Sequence, residues 1–435
     1  MNVLHVNTSD GGGGAARGAY WLHQALSGHV TSRMLVQTRV TDDERVLTYG
    51  APLMARVARR AQQLSLRPYP DAHGLFSSAT LPRQVHRAIN ALTPDIVNLH
   101  WINEGFMTPE NVRHITAPVV WTLRDVWPMT GGCHYTKGCE RFTASCGQCP
   151  TLGSTREDDL SRHVWQRKAR AWQGRNLTFV ALSEWIAREA RRSSLLSAYE
   201  TVVIPNALDV ERFRPLPRAQ ARADLGLDPD LRSILFSAMN PIQDHRKGFP
   251  QLRAALEVLA RRPDADQLEV LVGGPVYGDA PDMPIRTRFL GMIDDDHTMR
   301  QLYAASTVTA MPSLEEAFGK VAMESMSCGT PVVCLSGTGT AEIVTHLEHG
   351  YHATPLDVTD LAAGLAYVLD HPAPEHLAEQ SRAHVLATYT FERQAQLYLE
   401  VYGRVLEQTR GQPRPRHTAR PPGAADTPYD RSVRE

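Results

Sequence analysis

Short apolar runs recur along this chain, and each is followed by a stretch with helical spacing. In the first half the runs lie at 3–6, 34–36, 95–100, 117–122 and 177–182. In the second half they lie at 233–237, 268–273, 307–311 and 331–335. Helical patterns fill the gaps at 15–26, from Glu184, and at 249–260, 296–304 and 319–327. Strands alternating with helices dictate an α/β fold with mostly parallel sheets covered by helices. The scheme runs twice through 435 residues, and one hydrophobic core stops growing near ~250–300 residues. Two domains follow. Residues 204–217 carry Pro205, Pro215 and Pro217 with little periodicity, which puts the junction there. The predicted units are 1–204, 205–390, a terminal helix at 391–409, and a Pro- and Arg-rich disordered tail at 410–435.

Charge and composition exclude several classes. Lys plus Arg is 46 against 47 Asp plus Glu, for a net charge of −1, which argues against a nucleic-acid binder working by bulk charge. No run approaches the ~20 apolar residues of a membrane span. Six Cys are too sparse for a disulfide scaffold. The N-terminus enters an apolar strand with no basic region before it, so no secretory signal and a cytoplasmic location are expected. Residues 53–70 interleave Arg56, Arg59, Arg60 and Arg67 with Val57, Leu64 and Leu66. That pattern reads either as a solvated surface helix or as peripheral contact with an anionic membrane.

Open parallel sheets bind ligands beyond the carboxyl ends of their strands, and the motifs fall there. Gly11, Gly12, Gly13 and Gly14 follow the first strand and open a helix, where backbone N–H groups approach a phosphate or sugar. Arg17, one turn further on, is a candidate extra charge. The dinucleotide fingerprint of separated glycines is absent, so no organic cofactor is expected. In the second half, Glu316, Phe318, Gly319 and Glu324 follow a strand end. Gly319 at a helix start offers free N–H groups to a diphosphate. Glu316 faces the cleft, and Glu324 is placed to accept hydrogen bonds from a ribose diol.

The wider stretch from Met311 to Val333, with its two Glu eight positions apart and Cys328-Gly329-Thr330-Pro331-Val332-Val333, resembles the retaining nucleotide-sugar glycosyltransferases of family 4. That resemblance implies the GT-B fold, two facing Rossmann-like domains with a cleft between them. It also implies a nucleoside diphosphate sugar donor on the C-terminal domain and an acceptor on the N-terminal one. Ile204 to Asp209 resembles the family's hinge, with Asn206 at the donor. Arg246-Lys247-Gly248 resembles the Lys-Gly pair whose Lys contacts the diphosphate, and Arg246 is a candidate second cation. Trp121 to Tyr135 resembles the surface-polysaccharide subset with its Trp-Pro-x-Thr-Gly-Gly-Cys-His-Tyr run. Family members have His-Asp there; here Arg124 stands in the His place beside Asp125. Arg124 could also supply charge to a leaving phosphate. His100, at the preceding strand end, is either a sugar contact or a structural His.

Cys133, Cys139, Cys146 and Cys149 fall within the 131–150 loop. The last pair is Cys-x-x-Cys, which fits a structural zinc knuckle. The other reading is a set of small buried thiols. The activity that emerges is retaining transfer of a sugar to a glycan or lipid-linked glycan in polysaccharide biosynthesis. The alternatives are a sugar-nucleotide epimerase of the same fold, which would turn over donor without acceptor, and a non-catalytic homologue.

Overall fold

A computed structural model describes residues 1–410 except His73 and Pro82. The tail expected at 410–435 lies outside the described residues beyond Arg410. Among the described residues the strands form two sheets. The first holds β1 (Asn2–Ser9), β2 (Thr31–Thr38), β3 (Val46–Thr48), β4 (Ile96–Leu99), β5 (Val119–Leu123), β6 (Leu177–Ala181) and β7 (Glu200–Val203), in the order β3-β2-β1-β4-β5-β6-β7. The second holds β8 (Arg232–Ser237), β9 (Leu268–Gly273), β10 (Thr287–Gly291), β11 (Val308–Met311), β12 (Val332–Leu335) and β13 (Gly350–Ala353), in the order β10-β9-β8-β11-β12-β13. All named pairings are parallel. Central strands such as β4, β5 and β9 are buried throughout, as a sheet covered on both faces requires.

Each sheet reverses its strand order beside its first strand, at β1 and at β8. Crevices form at such switch points because consecutive connections leave to opposite faces. The loops after β1, β5, β8 and β11 carry the candidate residues, so chain order and sheet order together bring them to one cleft.

Helix Phe391–Arg410 is last in sequence but packs on the first sheet. Ala395, Tyr398, Val401 and Tyr402 join Val3, Ile96, Val120 and Val180 in one core. The hydroxyls of Tyr398 and Thr122 are 3.0 Å apart. The chain thus crosses between the two sheets twice, near Ile204 and again before Phe391.

Candidate active cleft

Nine of the expected residues line one cavity of about 380 Å³ between the sheets: Gly14, Arg124, Asp125, Asn206, Arg246, Lys247, Glu316, Phe318 and Gly319. Gly12, Gly13, His100 and Glu324 are not among its lining residues. Gly12 and Gly13 turn the chain after β1 with φ of +74° and +103°, a region that disfavours side chains. Arg17 is committed elsewhere, to an ion pair with Asp296.

On the second-sheet side, Lys247 sits in a single turn of 3-10 helix, His245–Lys247, whose Arg246 N–H donates to Asp244. Gly248 follows with φ +78°, and a Cβ there would stand 1.9 Å from the Pro312 carbonyl oxygen. Lys247 Nζ donates to Glu316 Oε2 at 2.6 Å. Burial pushes the Glu316 carboxyl upward, but Lys247 and Arg246 outweigh it and hold it below its ordinary value. Glu316 is therefore ionised at neutral pH, and the pair is a local dipole that a bound anion can reorganise. Arg246 donates to Asp244 Oδ2 at 2.6 Å and lies 3.6 Å from the centre of the Tyr135 ring. Gly319 has φ +91°, and a Cβ there would meet Thr340 Oγ1 at 2.4 Å. It opens helix Lys320–Ser327 with no capping side chain, leaving that N-terminus to the cleft. Glu324 is buried one turn in, where Tyr303 donates to its Oε2 at 2.9 Å and Lys320 Nζ lies 3.4 Å from its Oε1.

Lys320 also lines the cavity, with Nζ 3.8 Å from the centre of the Trp21 ring. Burial lowers its pKa to about 8. Its positive charge is present below that value and lost above it. Affinity for a nucleoside diphosphate is thus expected to fall between pH 7 and 9, measured by calorimetry with UDP and GDP. Lys320→Met is expected to flatten that dependence.

On the first-sheet side, Asp125 is fixed from three directions. Its Oδ2 accepts from Trp101 Nε1 at 2.7 Å and pairs with His134 Nδ1 at 2.5 Å, and its Oδ1 accepts from the Trp127 N–H at 2.8 Å. Arg124 donates to Asn206 Oδ1 and, at 3.2 Å, to His100 Nδ1. The other nitrogen of His100 faces His5 Nδ1 at 3.1 Å. With both ring nitrogens engaged, His100 stands behind Arg124 and is not among the residues lining the cavity.

The two sides touch. Glu315 accepts from Thr136 Oγ1 at 2.5 Å and from the Lys137 N–H at 3.0 Å. Ser183 Oγ donates to the Ala317 carbonyl at 2.8 Å. Glu342 accepts from the Glu184 and Trp185 N–H groups at 2.6 and 2.7 Å, capping helix Glu184–Arg192 across the cleft.

Cys133, Cys139, Cys146 and Cys149 line one small cavity of about 20 Å³. All four are free thiols, and burial raises the pKa of Cys133, Cys146 and Cys149, to about 12 for Cys146. Among the described residues, no three or more His, Cys, Asp or Glu side chains are arranged to hold a metal ion. As folded, the four thiols pack around that small cavity.

Residues 243–384 match the family model "Glycosyl transferases group 1". A D-inositol 3-phosphate glycosyltransferase from Saccharomonospora viridis is 30% identical over 317 residues, covering 68% of this chain and 70% of that protein. The chain belongs to the glycosyl transferases group 1 family. It spans 50%, 64% and 65% of three other curated relatives' lengths, all likewise D-inositol 3-phosphate glycosyltransferases. Sucrose-phosphate synthase from Thermosynechococcus elongatus superposes with a TM-score of 0.65 at 18% identity, over 94% of this chain and 100% of that one. Alr3699/HepE from Anabaena, in complex with UDP and glucose, does so with 0.59 at 18% identity, over 93% and 100%. The fold is GT-B, two Rossmann-like domains with parallel sheets.

The matched segment of this group 1 member holds Arg246, Lys247, Glu316, Phe318 and Gly319 of the cleft wall, and the buried Glu324 as well. Tyr135 and Lys320 also line the cavity, yet neither is an expected site residue. Both sit inside motifs whose neighbours carried the resemblance. An aromatic or a Lys has no chemical signature of its own until packing aims it.

Proposed function

We propose that this chain transfers a sugar from a nucleoside diphosphate sugar to a glycan or lipid-linked glycan, with retention of configuration, in surface-polysaccharide assembly at the cytoplasmic side of a membrane. One observation carries the reading. A single cleft sets Lys247, Arg246 and an uncapped helix start at Gly319 on one wall, facing Gly14 and Asp125 on the other. As the bond from sugar to diphosphate breaks, negative charge grows on the leaving oxygens. Fixed cations and N–H dipoles stabilise that charge more than the ground state, which is what lowers a barrier. Glu316, held by Lys247, orients the donor sugar, and Asn206 and Glu324 complete the donor side. The acceptor enters from the Gly14 and Asp125 wall.

The test is to incubate the protein with UDP- and GDP-sugars, with and without glycan acceptors, and follow nucleoside diphosphate release. Acceptor-dependent release is expected. Donor conversion without acceptor would favour an epimerase, and a protein that binds no nucleotide would overturn the reading.

The lipid side rests on helix Pro52–Leu64. Its small Ala55 and Ala58 face inward, while Leu53 is 68% exposed and Met54, Val57 and Leu64 about half exposed. Arg56, Arg59 and Arg60 flank them. Further along, Leu75 is exposed and lines the cleft. An outward apolar stripe edged by arginines suits an anionic bilayer surface. No helix among the described residues is long and apolar enough to span a membrane. Binding to phosphatidylglycerol-containing vesicles, and not to pure phosphatidylcholine, is expected in co-sedimentation. At about 1 kcal/mol per arginine, R56E/R59E/R60E should weaken it by ~10²; equal binding to both vesicles would count against the assignment.

A further inference from the structure

Arg124 is a buried cation without a counter-ion. It is 8% exposed and follows directly on β5. Its guanidinium donates to Asn206 Oδ1 and His100 Nδ1, and its Nε has no partner. Among the described residues no carboxylate stands within ion-pair distance of it. Asp125, next in sequence, is turned to Trp101, His134 and the Trp127 N–H. The groups around it are neutral. Burial and the guanidinium hold His100 well below its ordinary pKa, and His5 likewise. Burial raises the Tyr398 and Tyr402 phenols, keeping them protonated. Arg124 itself is lowered only to about 10, so it is charged at neutral pH.

Two other largely buried arginines are treated differently. Arg222 pairs with Glu269 at 2.8 Å, and Arg246 pairs with Asp244 at 2.6 Å. A buried charge normally requires such a partner, because desolvation is expensive. Arg124 also has space reserved for it: a Cβ on Gly18 would stand 2.5 Å from its Nη1 and 3.2 Å from Asn206 Oδ1. The cation therefore sits in a neutral cradle and lines the cleft. Its missing partner must come from a ligand.

Resting on the proposed glycosyl transfer, we infer that Arg124 selects a sugar substrate bearing an anionic group, a carboxylate or a phosphate monoester. Arg246 and Lys247 on the facing sheet already serve the donor diphosphate in that reading, so Arg124 is free for a charge on the sugar itself. A planar guanidinium matches either oxyanion in two-point geometry.

The test compares twins that differ by one charge. On the donor side they are UDP-glucose against UDP-glucuronate and GDP-mannose against GDP-mannuronate. On the acceptor side they are glucose against glucose 6-phosphate, with saturating UDP or GDP. The wild-type protein is expected to bind one charged twin at least about tenfold more tightly than its neutral partner, and the side showing it identifies the source of the charge. Arg124→Gln is expected to bring that ratio to within about threefold while UDP and GDP affinities stay within about twofold. Gly18→Ala, which keeps the guanidinium but takes its space, should do the same, and Arg124→Lys should retain part of the preference. Thermal melts check that each variant folds. No charge preference in the wild type would overturn the inference. So would a tenfold loss of UDP or GDP affinity in Arg124→Gln, which would place Arg124 on the diphosphate. A wild-type protein that binds no nucleotide at all would instead remove the donor reading beneath it.

Discussion

Replacing Lys247 by Met is expected to lower the rate of sugar transfer by ~10²–10³, the usual loss when one preorganised donor to a developing oxyanion is removed. The side chain donates to the Glu316 carboxylate at 2.6 Å, so its charge is already compensated there. Binding a diphosphate lets Nζ serve two anions at once, and the benefit is largest when the leaving oxygens carry most charge. The loss should therefore fall on kcat more than on KM. The single variant also strands Glu316. Without Lys247, burial is opposed by Arg246 alone, and the carboxyl pKa rises. Lys247→Met combined with Glu316→Gln separates the two effects. Its rate should be close to that of Lys247→Met if the cation is the main contributor. Steady-state rates with the donor found in the screen check this, and an unchanged kcat in the single variant would remove Lys247 from the chemistry.

Gly248→Ala is expected to be the most damaging single-methyl change near the cleft. The residue has φ +78°, and its Cβ would lie 1.9 Å from the Pro312 carbonyl oxygen, which is backbone and has no rotamer to yield. Left-handed backbone costs a non-glycine residue ~1–2 kcal/mol, and overpacking a tight site adds ~1–3 kcal/mol. The sum, about 2–5 kcal/mol, corresponds to a melting point lower by roughly 4–20 °C for a domain of this size. The function should suffer beyond the stability loss. Gly248 ends the turn that aims Lys247, and the Leu314 N–H donates to the Arg246 carbonyl at 2.8 Å, so a shift there moves both cations and the Glu316 loop together. Calorimetric melting and UDP or GDP titration check the two parts. A variant with wild-type melting and binding would show that the loop yields where the geometry says it does not.

Much of this fold is legible because central parallel strands are buried on both faces. Nine strands announce themselves as apolar runs, and each appears within a few residues of its expected place. The strands that do not are β3, β7, β10 and β13, and these are the four edges of the two sheets. An edge strand is covered on one side only, so its sequence mixes charged and apolar residues. Glu200–Val203 and Thr287–Gly291 show it: none of their residues is fully buried. Their pairing comes from a neighbour's backbone, which leaves no pattern in the side chains.

The cleft divides along the same physical line. Gly248, Gly319 and the Lys-Glu spacing are local requirements, set by backbone angle and helix position, and a sequence alone displays them. The sequence by itself determined the α/β class, two repeated halves and most of the donor wall. What His100, Arg124 and the thiols do depended on distant partners. His100 is set behind the cleft by His5, 95 positions away. Arg124 is cradled by Asn206, 82 positions away. The Cys spacing suits a metal, yet the packed loop presents free thiols around a small cavity. The final helix, with no motif of its own, completes the core of the first sheet. Only the tertiary structure decided these, because a charge or an imidazole takes its role from the groups that solvate it, and those are brought by the fold.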